Sequence, residues 1–134
     1  MNEKAAKEWL QKSWHNLSGA KLFYENNHYT DVTAVELHYA CEKILKSLLA
    51  YENKKIVKTH DLYDIYKEIK HNIDLENHLD TLDLISEYHI EESYPAFDRE
   101  MPPRDEIKIV LEFSEQLFDK VCDILEVDKS EIIK

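Results

Sequence analysis

Two short segments carry the residue types and spacing that could do chemistry. The first is HYACEKILKSLL, in which Glu42 follows the apolar position Cys41. Glu42 and Lys46 stand one helical turn apart in the favourable acid-then-base order, and Lys43 shares a face with Lys46. A pair of this kind on the surface adds a few tenths of a kcal/mol at most, as an order of magnitude. A carboxylate at the edge of a packed seam could instead orient a neighbouring group, and spacing alone leaves both readings open. The second segment is Thr59-His60-Asp61-Leu62, which reads as a helix start with Thr59 as N-cap and His60 in the first turn. The positive end of a helix favours a neutral imidazole that can accept or donate a proton. The plainer alternative is that His60 begins the helix and bonds to a neighbouring one.

Other chemistries lack their residues. The only glycine, Gly19, lies inside a helical pattern, so no glycine-rich phosphate loop is possible. Neither HExxH nor a pair of CxxC motifs occurs. The seven histidines are spaced by 13, 10, 22, 11, 7 and 11 residues. None of these is the three- or four-residue step that sets two imidazoles side by side on one helix face, so no bound metal is expected. Cys41 and Cys122 fall within apolar helical patterns and read as buried free thiols that act as small hydrophobes.

The elements that must position these groups are helices. Residues 4–26 bring Ala6, Leu10, Ser13, Trp14, Leu17, Ala20 and Tyr24 round at steps of three or four. Residues 30–52 form a second stripe through Ala34, Leu37, Cys41, Ile44, Leu45, Leu48 and Leu49, with Thr30 as cap and Asp31 in the first turn. Each would be about 34 Å long at 1.5 Å per residue, and a link of about three residues makes them antiparallel neighbours. A third helix runs from the Thr59 cap to about Lys70, a fourth over 74–92 and a last one over 105–127, followed by a charged tail that should fray. The three prolines, Pro95, Pro102 and Pro103, all fall in the extended loop 93–104. Tyr94 and Phe97 in that loop would pin it to the bundle, or serve as a lid or dimer contact.

At 134 residues the chain suits one domain, with a core at about 4–127. One glycine and three prolines are too few for a meander, sandwich or barrel. The expected fold is therefore all-α: an up-and-down antiparallel bundle of about five helices, two long ones first, shorter ones next and a long one last. No apolar run reaches the roughly 18 residues of a membrane span. The opening MNEKAAKEWLQKSW lacks the apolar core of a signal peptide, and a cytoplasmic location is expected.

The net charge of −11 repels a phosphate backbone, which disfavours nucleic acid as a partner. The charge is uneven, with +3 over residues 41–60 and −9 over 74–106. One region could meet an anion and another a basic partner, although solvated helix faces explain both.

These segments resemble a known family. Trp9-Leu10 looks like the opening of a HEPN domain, a nucleotide-binding family of prokaryotes and higher eukaryotes. Ala40-Cys41-Glu42-Lys43-Ile44-Leu45-Lys46-Ser47-Leu48-Leu49 looks like its A-A-E-K-A-L-K-A-L-L helix, and Thr59-His60-Asp61-Leu62 is similar to its T-H-D-L start. Tyr94-Pro95 looks like the end of its R-Y-P segment. The likeness spans about residues 5–125.

The resemblance implies an antiparallel helical bundle, frequent homodimerisation and, in many members, a minimal nucleotidyltransferase as protein partner. Other members are metal-independent ribonucleases of toxin–antitoxin or defence systems, with an arginine followed four to six residues later by a histidine. Here Ser93 stands at the R-Y-P arginine, and no histidine follows Arg99 or Arg104, the only arginines. The expected role is thus a non-catalytic homodimer that binds a nucleotide or regulates a nucleotidyltransferase. Its candidate nucleotide- or anion-binding residues are Glu42, Lys43, Lys46, Lys58 and His60, with Tyr94 and Phe97 as loop or dimer contacts. No catalytic residue, cofactor or metal is expected. The alternatives are a ribonuclease toxin built on His60 and Glu42, and an interaction module with no small ligand.

Overall fold

Apolar stripes at helical spacing account for the elements of the computed structural model, which describes residues 1–95 and 99–133. The long helices are α1 (Glu3–Glu25) and α2 (Thr30–Tyr51). Then come α3 (Leu62–Ile69), a 3-10 turn (Glu76–His78), α4 (Leu79–Glu91), α5 (Arg104–Ile124) and a short α6 (Lys129–Ile132). The all-α antiparallel bundle is as the periodicity predicts. Among the described residues no helix is long and apolar enough to cross a membrane.

α2 is the hub, with α1, α3, α4 and α5 all packed against it. Its second half is consequently buried on nearly every face: among residues 40–50 only Lys43 is not buried. One apolar cluster runs from Ala6 and Leu10 of α1 through Leu45 and Leu48 of α2 to Val110 and Val121 of α5. Both cysteines are free and buried, and Cys41 Sγ lies 3.1 Å from Ser114 Oγ of α5. Burial pushes the Cys41 thiol up to about 12 and the Cys122 thiol up to about 11, so neither is a nucleophile near neutral pH.

Several helix ends differ from the sequence reading. Tyr29, not Thr30, occupies the N-cap of α2 and gives no side-chain cap bond. Asp61, not Thr59, caps α3, and its carboxylate accepts the N–H groups of Tyr63 and Asp64 at 2.9 and 3.4 Å. His60 therefore precedes the helix instead of standing in its first turn. The tail does not fray, because it contains an apolar residue that finds a place. Ile132 is buried, Asp128 caps α6, and Lys7 of α1 bonds Glu131 at 2.7 Å.

Three long helices stop in the same way, without glycine. Asn27, Asn53 and Glu126 take φ of 56°, 55° and 54°. Each donates its N–H to the carbonyl three residues back, and the next residue's N–H bonds the carbonyl five back, as in His28 N to Phe23 O at 2.9 Å. Asparagine tolerates this left-handed conformation, but glutamate is strained in it. Glu126→Gly is expected to stabilise the fold by about 0.5–1 kcal/mol, read as a higher urea midpoint with an unchanged slope.

Candidate functional site

Three polar residues on α2, His38, Glu42 and Lys46, recur at four-residue steps and so share one face. α4 and the segment leading into α3 cover that face. The result is a buried polar cluster centred on Glu42. Glu42 Oε1 lies 2.7 Å from Nδ1 of His60 and 3.2 Å from Nε2 of His38. Lys46 Nζ donates to Oε2 at 3.2 Å and sits 5.9 Å from the centre of the Trp9 ring. On its far side, His38 Nδ1 lies 2.9 Å from the carbonyl oxygen of Ile85 in α4. A carbonyl can only accept, so this nitrogen carries the proton.

Burial is the largest single influence on Glu42 and opposes its charge. The hydrogen bonds from His38 and His60, with the Lys46 ammonium, together outweigh it and hold the carboxyl at about 2. His89 of α4 completes the cluster, stacked on His60 with ring centres 3.8 Å apart and planes 16° from parallel. Burial first, and then the neighbouring His60 and His38, push His89 below the usual histidine range.

The cluster opens at one edge. The His60 side chain is 55% exposed. It stands with His89 on the wall of a groove of about 650 Å³ that is also lined by Lys58, Asp61, Asp83 and Glu87. His60 Nε2 makes no hydrogen bond among the described residues. The arrangement is a buried carboxylate that fixes an imidazole whose other nitrogen faces solvent, beside a groove richer in carboxylates than in cations.

Of the residues singled out from sequence, Glu42, Lys46 and His60 meet directly, and Lys58 lines the same groove. The Glu42–Lys46 pair is buried and belongs to an orienting cluster, not the surface. Lys43 turns towards α1 and donates to Asn16 Oδ1 at 2.7 Å. Tyr94 is exposed, and Phe97 lies outside the described residues. Sequence reasoning missed His38 and His89. His38 had a signal: it precedes Glu42 by four residues, a step that a count of histidine-to-histidine spacings passes over.

Both arginines are engaged elsewhere. Arg104 donates to the carbonyl of Tyr24 at 2.9 Å and stacks 4.0 Å from that ring's centre. Arg99 donates to the carbonyl of Glu91 at 2.7 Å.

Fold and cluster together define a helical-bundle protein that presents an oriented imidazole to an open groove. The family model for the HEPN domain matches residues 6–125, and the chain belongs to that family. The fold is similar to that in the crystal structure of TT1696 from Thermus thermophilus. The TM-score is 0.74 at 21% identity, covering 92% of this chain and 99% of that one. No curated protein matches the chain.

Proposed function

We propose that this HEPN-family chain is a non-catalytic homodimeric subunit that binds a minimal nucleotidyltransferase partner and holds a nucleotide near His60. The observation that carries the reading is the preserved bundle without an arginine–histidine nuclease pair: Arg99 is tied to the backbone carbonyl of Glu91 and Arg104 to that of Tyr24. Exposed apolar residues at one end of the bundle support an association surface. Leu22 lies in the last turn of α1, Tyr29 caps α2 and Val32 lies in its first turn, Ile90 lies in the last turn of α4 and Ile109 in the second turn of α5. Lys58 and the imidazole edges are the groups in the groove suited to phosphate, and the carboxylates suit ribose hydroxyls. The test is co-expression with the product of a neighbouring nucleotidyltransferase-type reading frame, together with a thermal-shift screen of ATP and GTP. A complex is expected, and a nucleotide at 100 times its Kd should add about 2.7 kcal/mol of stability. A chain that is monomeric, captures no such partner and is not stabilised by either nucleotide would refute the reading.

One observation favours a second reading. Glu42 holds Nδ1 of His60 at 2.7 Å and leaves Nε2 facing the groove, the arrangement of an oriented general base. An RNA-cleaving activity would use that nitrogen on a 2′-hydroxyl. Pure protein without metal would then degrade RNA, and His60→Ala would abolish the cleavage. No cleavage, or equal cleavage by the variant, eliminates this activity.

A further inference from the structure

We propose that His38, Glu42 and His60 form a binding site for one divalent transition-metal ion of the Zn²⁺ class. One ligand atom from each residue lies within 4.8 Å of the other two. Around a tetrahedral Zn²⁺ with bonds near 2.1 Å, ligand atoms stand roughly 3.4 Å apart. His38 Nε2 and Glu42 Oε1 are already 3.2 Å apart, and His60 Nδ1 is 2.7 Å from the same oxygen. Small side-chain rotations, with His60 moving out slightly towards the groove, bring all three onto one ion.

The surrounding contacts are those a metal ligand needs. His38 gives its Nδ1 proton to the Ile85 carbonyl, which fixes the ring and aims the Nε2 lone pair inward. Nε2 in turn lies 3.2 Å from Glu42 Oε1, close to the separation of two ligand atoms on one ion. A metal ion held between them would also engage His60. Glu42 would bind through Oε1 alone, since Lys46 holds Oε2 at 3.2 Å. His89, stacked on His60, steadies that ring. The Lys46 ammonium opposes an added cation. Asp61, Asp83 and Glu87 of the adjoining groove, set against Lys58, oppose it in turn. Solvent in the groove supplies the remaining coordination.

Co²⁺ serves as the probe, because its visible bands report coordination number. The full-length chain, stripped with chelator, is titrated with Co²⁺ and then with Zn²⁺, and stoichiometry is measured by calorimetry. One equivalent should bind, with the band intensity of a four- or five-coordinate ion, and Zn²⁺ should displace it. His60→Ala removes a half-exposed side chain and should retain the wild-type circular dichroism. It is expected to weaken binding by at least about 100-fold, the upper end of what loss of a supporting residue costs at metal sites. His71→Ala, at a surface histidine paired with Glu52, should bind as wild type does. The proposal fails if no such band appears, if His60→Ala binds within a few-fold of wild type, or if His71→Ala weakens binding as much as His60→Ala.

Discussion

The Glu42→Gln variant is expected to lose about 3 kcal/mol of stability at neutral pH, read as a lower urea midpoint. The amide preserves the shape of the side chain and can still accept from His60. It cannot balance the Lys46 ammonium, whose side chain is only 8% exposed. Removing one member of a buried charged cluster leaves the others uncompensated, which costs more than the pair itself is worth. The pH dependence gives a second readout. The Glu42 carboxyl ordinarily titrates at 4.5 and here is held at about 2. In acid the unfolded chain takes up this proton before the folded one does. The stability contributed by the Glu42 charge is therefore complete above about 4.5 and disappears as pH falls towards 2. Glu42→Gln has no such proton to gain. The gap between wild type and variant should narrow steadily across that window, although other carboxylates lower both curves. A gap that is constant with pH would show that the charge of Glu42 is not what stabilises the cluster. Adding Lys46→Met to Glu42→Gln should recover part of the loss, since it removes the uncompensated ammonium.

The same cluster marks the boundary of what could be read from the sequence. Stripes such as Leu37–Cys41–Ile44–Leu48 in α2 and Ile107–Val110–Ser114–Leu117 in α5 declare their helices, because burial acts on a periodicity that is local. The family motif placed Glu42 and His60 in two adjacent segments, and the fold joins them at 2.7 Å. What the stripe could not show is that α2 is enclosed by four other helices. A three-and-four pattern predicts one buried face and one wet face. The wet face of α2 is covered by α4 and the segment leading into α3, and Glu42 and Lys46 become interior groups for that reason. His89 joins through tertiary packing alone, and no spacing between it and His60 signals the stack. The caps were misplaced for a local reason. Thr59 and Asp61 are both good caps, and the choice between them rests on where Leu62 must enter the core.

Placing three titratable side chains on the hub helix is expensive for stability, because apolar residues of the same volume would serve a bundle at least as well. Elsewhere on α2 the interior positions are mostly Leu, Ile, Ala, Ser and Cys. The titratable interior residues, His38, Glu42 and Lys46, share the face covered by α4 and the segment leading into α3, and their polar atoms are satisfied: no buried side-chain nitrogen or oxygen among the described residues lacks a partner. A network this complete, reaching the groove through His60 and His89, is what an oriented functional imidazole requires. The two readings of function and the metal site all depend on it.

If α2 is the hub, truncating its apolar side should have one of the largest effects in the chain. Leu45→Ala is expected to destabilise the fold by about 3 kcal/mol, from lost burial plus the cavity left behind. Leu45 is fully buried, and helices on several sides of α2 prevent its neighbours from closing the gap. Ile124, also a large aliphatic residue on a long helix, is 38% exposed at the end of α5 and outside the proposed association surface, and Ile124→Ala should change stability by less than about 1 kcal/mol. Measured together by urea unfolding, the pair distinguishes central burial from helix content, since both substitutions favour the helical backbone. Because Leu45 lies three residues past Glu42, the cavity should also loosen the polar cluster. The losses from Leu45→Ala and Glu42→Gln should then fall short of additivity by at least about 0.5 kcal/mol in the double variant. Strict additivity would mean that the apolar and polar sides of α2 are held independently, and that the cluster keeps its geometry without the core beneath it.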